Sequence, residues 1–168
     1  MQPDYFTLFN LEPEYLVDLS SVEQNFKSLQ KQFHPDRYAH KTEAEQKLAL
    51  HYTALINEAF AVLSSPIKRA EYLLQLKGCN TEEHTMKTDT DFLFQQMQWR
   101  ESLDQAESQL TLSTLQDETN IAFDECEQKL NQAFLQNDFS SAQANVDKLQ
   151  FISKFQTELL RAQSQMAH

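Results

Sequence analysis

Glycine is almost missing from this chain of 168 residues, which contains a single one, Gly78, and only four prolines. Because glycine and proline are the residues that most often break helices and form turns, their scarcity predicts long helices joined by few tight turns. Leu, Gln, Ala, Glu and Lys, which favour helix, fill long stretches instead. The sequence therefore predicts an all-α fold.

Long apolar segments are missing as well. No run approaches the roughly 20 residues that a membrane-spanning helix needs, and the N-terminus has no basic region followed by an apolar one. The two cysteines, Cys79 and Cys126, lie far apart and in no spacing typical of a zinc site or a disulfide framework. We expect a cytoplasmic protein with reduced thiols and no membrane partner.

Basic residues are few, with 14 Lys and Arg against 25 Asp and Glu. Residues 1–77 contain 8 basic and 10 acidic residues, whereas residues 78–168 contain 6 and 15. This balance makes nucleic acid a poor partner for either part. The charge shift coincides with Gly78 and with a polar stretch that has no helical period, so we predict domains at 1–77 and 90–168 with a linker at 78–89.

The first domain shows two amphipathic patterns. Ser20 and Glu23 form a capping box, and an apolar face follows at Val22, Phe26, Leu29 and Phe33. A second helix is predicted to begin near Thr42 and to pack antiparallel on the first through Leu48, Tyr52, Leu55, Ala59 and Val62. Pro66 opens a further helix, which Gly78 can close.

Between the two patterns lies the tripeptide His34-Pro35-Asp36, the HPD turn. Pro35 ends the first helix, because the residue before a proline is pushed out of the α region. A polar turn between two helices is a poor place for core residues, so its chemistry should face a partner. A metal-dependent enzyme site at His34, Asp36 and His40 is an alternative, but no further ligand, triad or glycine-rich loop accompanies these residues. We expect no metal, no cofactor and no catalysis.

The second domain begins with a helix that has two faces. At about 100° per residue, one face forms a core seam of Phe92, Trp99, Leu103, Ala106 and Leu110. Leu93, Phe94 and Met97, the apolar band, lie away from that seam among the polar residues Gln98, Glu101 and Gln105. An apolar band with a polar rim is typical of a partner site, although a neighbouring helix or the first domain could also cover it.

Two more helices complete a predicted three-helix bundle. One packs through Phe123, Cys126, Leu130 and Phe134, which makes Cys126 a small core residue rather than a reactive thiol. The last packs through Ala142, Val146, Leu149, Ile152 and Leu160. Phe151 falls about 200° from Leu149, off that seam and one turn before Phe155.

Several motifs of the first domain resemble a J domain. They are Asp4-Tyr5-Phe6 with Leu8, the segment Leu29 to Arg37 that contains the HPD turn, and Ile56-Asn57-Glu58-Ala59-Phe60 with Leu63 and Pro66. The segment Arg69-Ala70-Glu71-Tyr72-Leu73-Leu74, followed by Gly78, extends the match to the HscB-type co-chaperones of iron–sulfur cluster assembly. The resemblance covers nearly the whole chain, and it implies an acidic three-helix bundle after the J domain.

The resemblance also implies partners and contact residues. J domains stimulate ATP hydrolysis by chaperones of the DnaK class, and for the HscB type the partner is the ATPase HscA. The implied ATPase-binding residues are His34, Pro35, Asp36, Lys31, Arg37 and Lys27. The second domain of the family binds the cluster scaffold protein IscU, and the implied scaffold-binding residues are Leu93, Phe94, Met97, Gln98, Glu101, Gln105 and Phe151.

The chain departs from these families in two places. Between Ser20 and Phe33 only Lys27 and Lys31 are basic, where many J domains are densely basic, which favours a narrow choice of partner. Gln98 and Gln105 are amides at positions expected to be acidic in the HscB type.

A second hypothesis is a helical adaptor whose bundle binds another protein without any chaperone ATPase.

Overall fold

The computed structural model describes residues 4–79 and 89–167, and in these ranges it contains helices and no strand. The prediction of an all-α fold is therefore confirmed. The chain divides into two compact units, residues 1–77 and 78–168. Most of the predicted linker, residues 78–89, lies outside the described residues. Within the described ranges no helix is long and apolar enough to cross a membrane.

The described residues of the first unit form four α-helices and one short 3-10 turn. They are α1 (Tyr5–Leu8), α2 (Leu19–Phe33), the 3-10 turn (Pro35–Tyr38), α3 (Glu43–Leu63) and α4 (Pro66–Leu76). The start of α3 agrees with the prediction, since the Thr42 hydroxyl accepts a hydrogen bond from the Glu45 N–H at 3.2 Å. The helix α4 begins at Pro66 as predicted, and Gly78 follows its end at a φ of 82°.

The predicted capping box at the start of α2 is wrong. Asp18 is the N-cap, and its carboxylate accepts the N–H of Ser20 at 3.0 Å. Aspartate is as good an N-cap as serine, and here it lies two residues earlier. Ser20 therefore belongs to the first turn of α2.

Two aromatic pairs show that α2 and α3 run antiparallel, as predicted. Phe26 stacks on Phe60 with ring centroids 4.0 Å apart. Phe33, the last residue of α2, stacks on Tyr52 with ring centroids 5.0 Å apart. Leu48, by contrast, is 55% exposed, so its assignment to this seam is wrong. The reason is that α2 ends at Phe33, opposite Tyr52, so Leu48, one turn earlier on α3, lies beyond the end of α2.

Arg69 joins three parts of the first unit. Its side chain is buried, and it donates hydrogen bonds to the carbonyls of Tyr15 at 2.6 Å and Leu63 at 2.7 Å. The guanidinium also lies 5.0 Å from the centre of the Tyr15 ring. One side chain on α4 thus connects the loop before α2 to the last residue of α3.

We predict that Arg69→Met lowers the free energy of unfolding by about 2–4 kcal/mol, because two buried carbonyls lose their charged donor. Urea unfolding followed by circular dichroism measures the change. The neighbouring Lys68→Met is the control, since Lys68 is exposed, and it should leave the transition in place. Equal stability of both variants would contradict a structural role for Arg69.

The second unit is a three-helix bundle, as predicted. Its helices are α5 (Thr90–Asp104), α6 (Gln109–Leu135) and α7 (Phe139–Met166). The buried core of this unit includes a cluster at which all three helices meet, formed by Trp99, Leu112, Leu115, Ile152, Phe155 and Leu159. Asn137, at a φ of 56°, makes the turn between α6 and α7, and the Asp138 carboxylate accepts the Ser141 N–H at 3.1 Å to start α7.

Two predicted core residues of this unit are exposed instead. Leu110 is 77% exposed, because α5 ends at Asp104 and the helical wheel was continued across a turn into α6. Leu160 is 57% exposed, and Leu159 is buried in its place. Phe155 is also buried, because α7 contacts α5 on one side as well as α6, and its ring stacks on Trp99 at 5.8 Å.

Cys126 is buried in this unit, as predicted, and the residue is 6% exposed. Its thiol donates a weak hydrogen bond to the Asn145 carbonyl at 3.3 Å. Burial is the main cause that raises the pKa of the Cys126 thiol to about 11. At pH 8 the thiolate, which is the reactive form, is therefore a very small fraction of the population.

We predict that iodoacetamide at pH 8 labels Cys79 in the folded protein and labels Cys126 only after urea unfolding. Mass spectrometry of peptides from the two conditions measures this, and a Cys79→Ser variant removes the reference signal as a control. Rapid labelling of Cys126 without denaturant would contradict its place in the core.

Candidate functional site

The HPD turn is held by hydrogen bonds of its own residues. His34 is the C-cap of α2 and has extended backbone, at φ −58° and ψ 132°. Pro35 then starts the 3-10 turn. The Nδ1 atom of His34 accepts the N–H of Asp36 at 3.2 Å, and the His34 carbonyl accepts the N–H of Arg37 at 3.0 Å. The histidine therefore caps the short turn with its ring and with its backbone.

This hydrogen bond decides which groups the turn offers to a partner. Because Nδ1 accepts a hydrogen bond, the neutral ring has its hydrogen on Nε2. The side chain of His34 is 58% exposed, and that of Asp36 is 93% exposed. The turn thus presents one N–H donor and one carboxylate acceptor, with their backbones fixed between two helices.

Positive charges lie beside the HPD turn. Lys27 and Lys31 on α2 and Arg37 in the 3-10 turn line a groove of about 700 Å³, together with His34, Pro35, Gln30 and Thr53. All three basic residues are exposed. The structure therefore brings five of the six predicted ATPase-binding residues to one groove, and Asp36 lies beside them in the turn, although the chain as a whole has a net charge of −11. Thr53 of α3 belongs to the same groove and was missed, because its spacing fits neither an apolar seam nor a charge pattern.

The apolar band of the second unit is open to solvent. Leu93 is 48% exposed, Phe94 61% and Met97 63%. The opposite face of α5 carries the contacts to the bundle, through the buried Trp99 and the half-buried Phe92. Among the described residues of this unit, then, no neighbouring helix buries any of the three side chains of the band.

Phe151 of α7 lies beside the apolar band. Its ring is half-buried and contacts Phe92 edge-on, with ring centroids 5.8 Å apart. It lines one groove with Leu93 and a second groove, of about 590 Å³, with Met97. The residue is therefore partly a core residue and partly a wall of the exposed surface.

The polar rim of the band is exposed throughout. Glu101 and Gln105 line the second groove. Gln105 is the C-cap of α5, and its side-chain amide donates a hydrogen bond to the Glu101 carboxylate at 3.4 Å. Gln98 is exposed on α5. The seven predicted scaffold-binding residues thus lie on α5, at its end, and on the adjacent part of α7.

Two ion pairs connect α5 to α7 within or beside this surface. Lys148 of α7 binds Asp89, the N-cap of α5, at 2.6 Å, and Arg100 of α5 binds Glu158 of α7. Both carboxylates have a pKa below the ordinary value, chiefly because of these hydrogen bonds. Sequence reasoning missed both pairs, since their members lie on different helices and are far apart in the chain.

The described residues contain no group of three or more His, Cys, Asp or Glu side chains that could hold a metal ion. His34 lies near a carboxylate, with 3.7 Å between its Nδ1 and an Asp36 oxygen, but that contact is part of the turn. The first unit thus carries one exposed donor–acceptor turn with basic neighbours, and the second unit carries an exposed apolar surface.

Fold and site together define a J-domain protein with an additional helical bundle. Residues 4–72 match the family model described as the DnaJ domain, and residues 88–160 match that described as the HSCB C-terminal oligomerisation domain.

Whole-chain comparisons agree. The chain is 37% identical to the co-chaperone protein HscB homolog of Neisseria meningitidis serogroup A, over 94% of this chain and 98% of that protein. It is 36% identical to the homolog of Shewanella halifaxensis, over 95% and 97%. The solved chaperone HscB from Vibrio cholerae superposes with a TM-score of 0.86 at 32% identity, over 97% of this chain and 99% of the other. The chain belongs to the HscB family, J-domain co-chaperones of iron–sulfur cluster assembly.

Proposed function

We propose that this protein stimulates the ATPase of an HscA/DnaK-class chaperone and delivers an IscU-type iron–sulfur scaffold protein to it. Residues 1–77 bind the ATPase, and residues 90–168 bind the scaffold. The observation that carries the proposal is the exposed HPD turn, fixed by the His34 ring and accompanied by three basic side chains. Its chemistry suits a protein partner with an acidic surface and an available arginine.

The role of each turn residue in this proposal is chemical. The Asp36 carboxylate accepts charge-assisted hydrogen bonds from an arginine of the ATPase. The His34 ring donates its Nε2–H, and Pro35 fixes the backbone so that less entropy is lost on binding. The basic groups of Lys27, Lys31 and Arg37 raise the rate of encounter and select acidic partners.

We predict that His34→Gln abolishes stimulation of the ATPase, because glutamine cannot both cap the 3-10 turn and present the ring donor. His40→Gln is the matched control, since His40 is an exposed histidine six residues further on, and it should stimulate like the original protein. Steady-state ATP hydrolysis by the purified HscA-class chaperone measures both. Full stimulation by His34→Gln would contradict the proposal.

For the second unit, the apolar band supports the proposal of a scaffold surface. Three large apolar side chains on one open face bury considerable area when a partner covers them. Phe151 extends this surface onto α7, and Gln98, Glu101 and Gln105 provide its polar rim. A surface of this composition fits a folded protein, because its three apolar side chains are exposed on one helix face.

We predict that Leu93→Ala combined with Met97→Ala weakens binding of the IscU-type scaffold about 30-fold or more, since two central apolar contacts are truncated. Isothermal titration calorimetry measures the affinity. The melting temperature should stay nearly unchanged, because Leu93 and Met97 are already 48% and 63% exposed. Leu135→Ala, which truncates another exposed leucine of the same unit, is the control. A large drop in melting temperature, or unchanged affinity, would overturn this assignment.

Carrying both surfaces on one chain is the proposed mechanism of delivery. A scaffold bound to the second unit is held at a raised effective concentration near any ATPase bound to the first. Hydrolysis is then triggered while the client is within reach. The protein needs no catalytic group of its own for this task.

A further inference from the structure

Two carbonyls at the end of α2 have lost the backbone donors that a helix would give them. In an α-helix the carbonyls of Gln32 and Phe33 would accept the N–H groups four residues on, those of Asp36 and Arg37. Here both N–H groups bind His34 instead, at its Nδ1 and at its carbonyl. The HPD turn therefore uses the donors that would otherwise complete the last turn of α2.

Side-chain hydroxyls replace the missing donors. Thr53 of α3 donates to the Phe33 carbonyl at 3.1 Å, and Tyr38 donates to the Gln32 carbonyl at the longer distance of 3.4 Å. The Thr53 hydroxyl also lies 2.8 Å from the Ala49 carbonyl, the usual contact of a threonine within a helix, so its single proton is shared between two acceptors.

The neighbour of Thr53 on α3 contacts the same residue of α2. The ring of Tyr52 stacks on that of Phe33, with centroids 5.0 Å apart. Two consecutive α3 residues thus hold Phe33 by its ring and by its carbonyl, immediately before His34 begins the turn. A hydrogen bond to this carbonyl restrains the ψ dihedral of Phe33, and this dihedral determines where the His34 ring lies.

We infer that Thr53 is a positioning residue for the HPD turn: its hydroxyl completes the end of α2 and so holds His34 and Asp36 in the arrangement that binds the chaperone ATPase. The inference rests on the proposed function. Without the hydroxyl the turn populates other arrangements, and the apparent affinity falls in proportion to the competent fraction. The maximal stimulation stays the same, because the residues that touch the ATPase are unchanged.

The test compares Thr53→Val, which keeps the shape and removes the donor, with Thr53→Ser, which keeps the donor. We expect Thr53→Val to raise the concentration of co-chaperone that gives half-maximal ATPase stimulation about fivefold, the factor that one ordinary hydrogen bond supplies. The maximal rate should not change, and Thr53→Ser should restore the original value. Melting curves establish that both variants fold, and Thr53→Ala serves as a second donor deletion.

A second measurement on the free full-length protein separates positioning from direct contact, since Thr53 also lines the groove beside the turn. In Thr53→Val the NMR amide signal of Asp36 should move upfield and exchange faster with solvent, and the His34 ring should lose its preference for Nε2–H. Weaker stimulation with unchanged Asp36 and His34 signals would show direct contact and overturn the inference. Unchanged stimulation would overturn it as well.

The proposed function and this inference can fail separately. If the unmodified protein stimulates no HscA-class ATPase, the proposed function is lost, and the NMR comparison then tests the positioning role alone. If the unmodified protein stimulates while Thr53→Val matches it in both measurements, only the inference is lost.

Discussion

Pro35 has no backbone N–H, and the conformation that it imposes on His34 prevents α2 from continuing. The groups that would have extended α2 then become available for a different purpose, and the His34 ring takes one of them to fix the turn. The antiparallel packing of α2 on α3 determines where this turn lies, because Phe33 is held on Tyr52. The proposed ATPase surface depends on this one feature, the end of α2 at the HPD turn, which lies between two helices that pack on each other.

In the second unit, α5 has two faces with different roles. One face provides Phe92 and Trp99 to the bundle, and the other leaves the apolar band exposed. A helix with apolar residues on both faces could bind the bundle in more than one rotation. The ion pairs of Asp89 with Lys148 and of Arg100 with Glu158 favour a single rotation, which keeps the band outside.

The sequence predicted the parts of this structure that depend on local pattern. The HPD turn, the antiparallel α2 and α3, and the start of α4 at Pro66 follow from proline chemistry and helical period within one element. The capping box is wrong because Asp18 is an equally good cap two residues earlier. The wrong core assignments have a different cause, which is that a helical wheel assumes one unbroken helix with one neighbour. Leu110, for example, lies beyond a turn. Two residues that the sequence left unassigned have partners that a wheel does not describe, since Phe155 stacks on Trp99 of a second helix and Thr53 donates to a backbone carbonyl.

The central claim is that one chain binds an HscA-class ATPase through the first unit and an IscU-type scaffold through the second. The most direct measurement immobilises the full chain, adds both purified partners with ATP, and quantifies each protein retained. We predict that the original chain retains both, that His34→Gln retains only the scaffold, and that the Leu93→Ala, Met97→Ala variant retains only the ATPase. Loss of both partners in either variant, or of neither, would contradict the account.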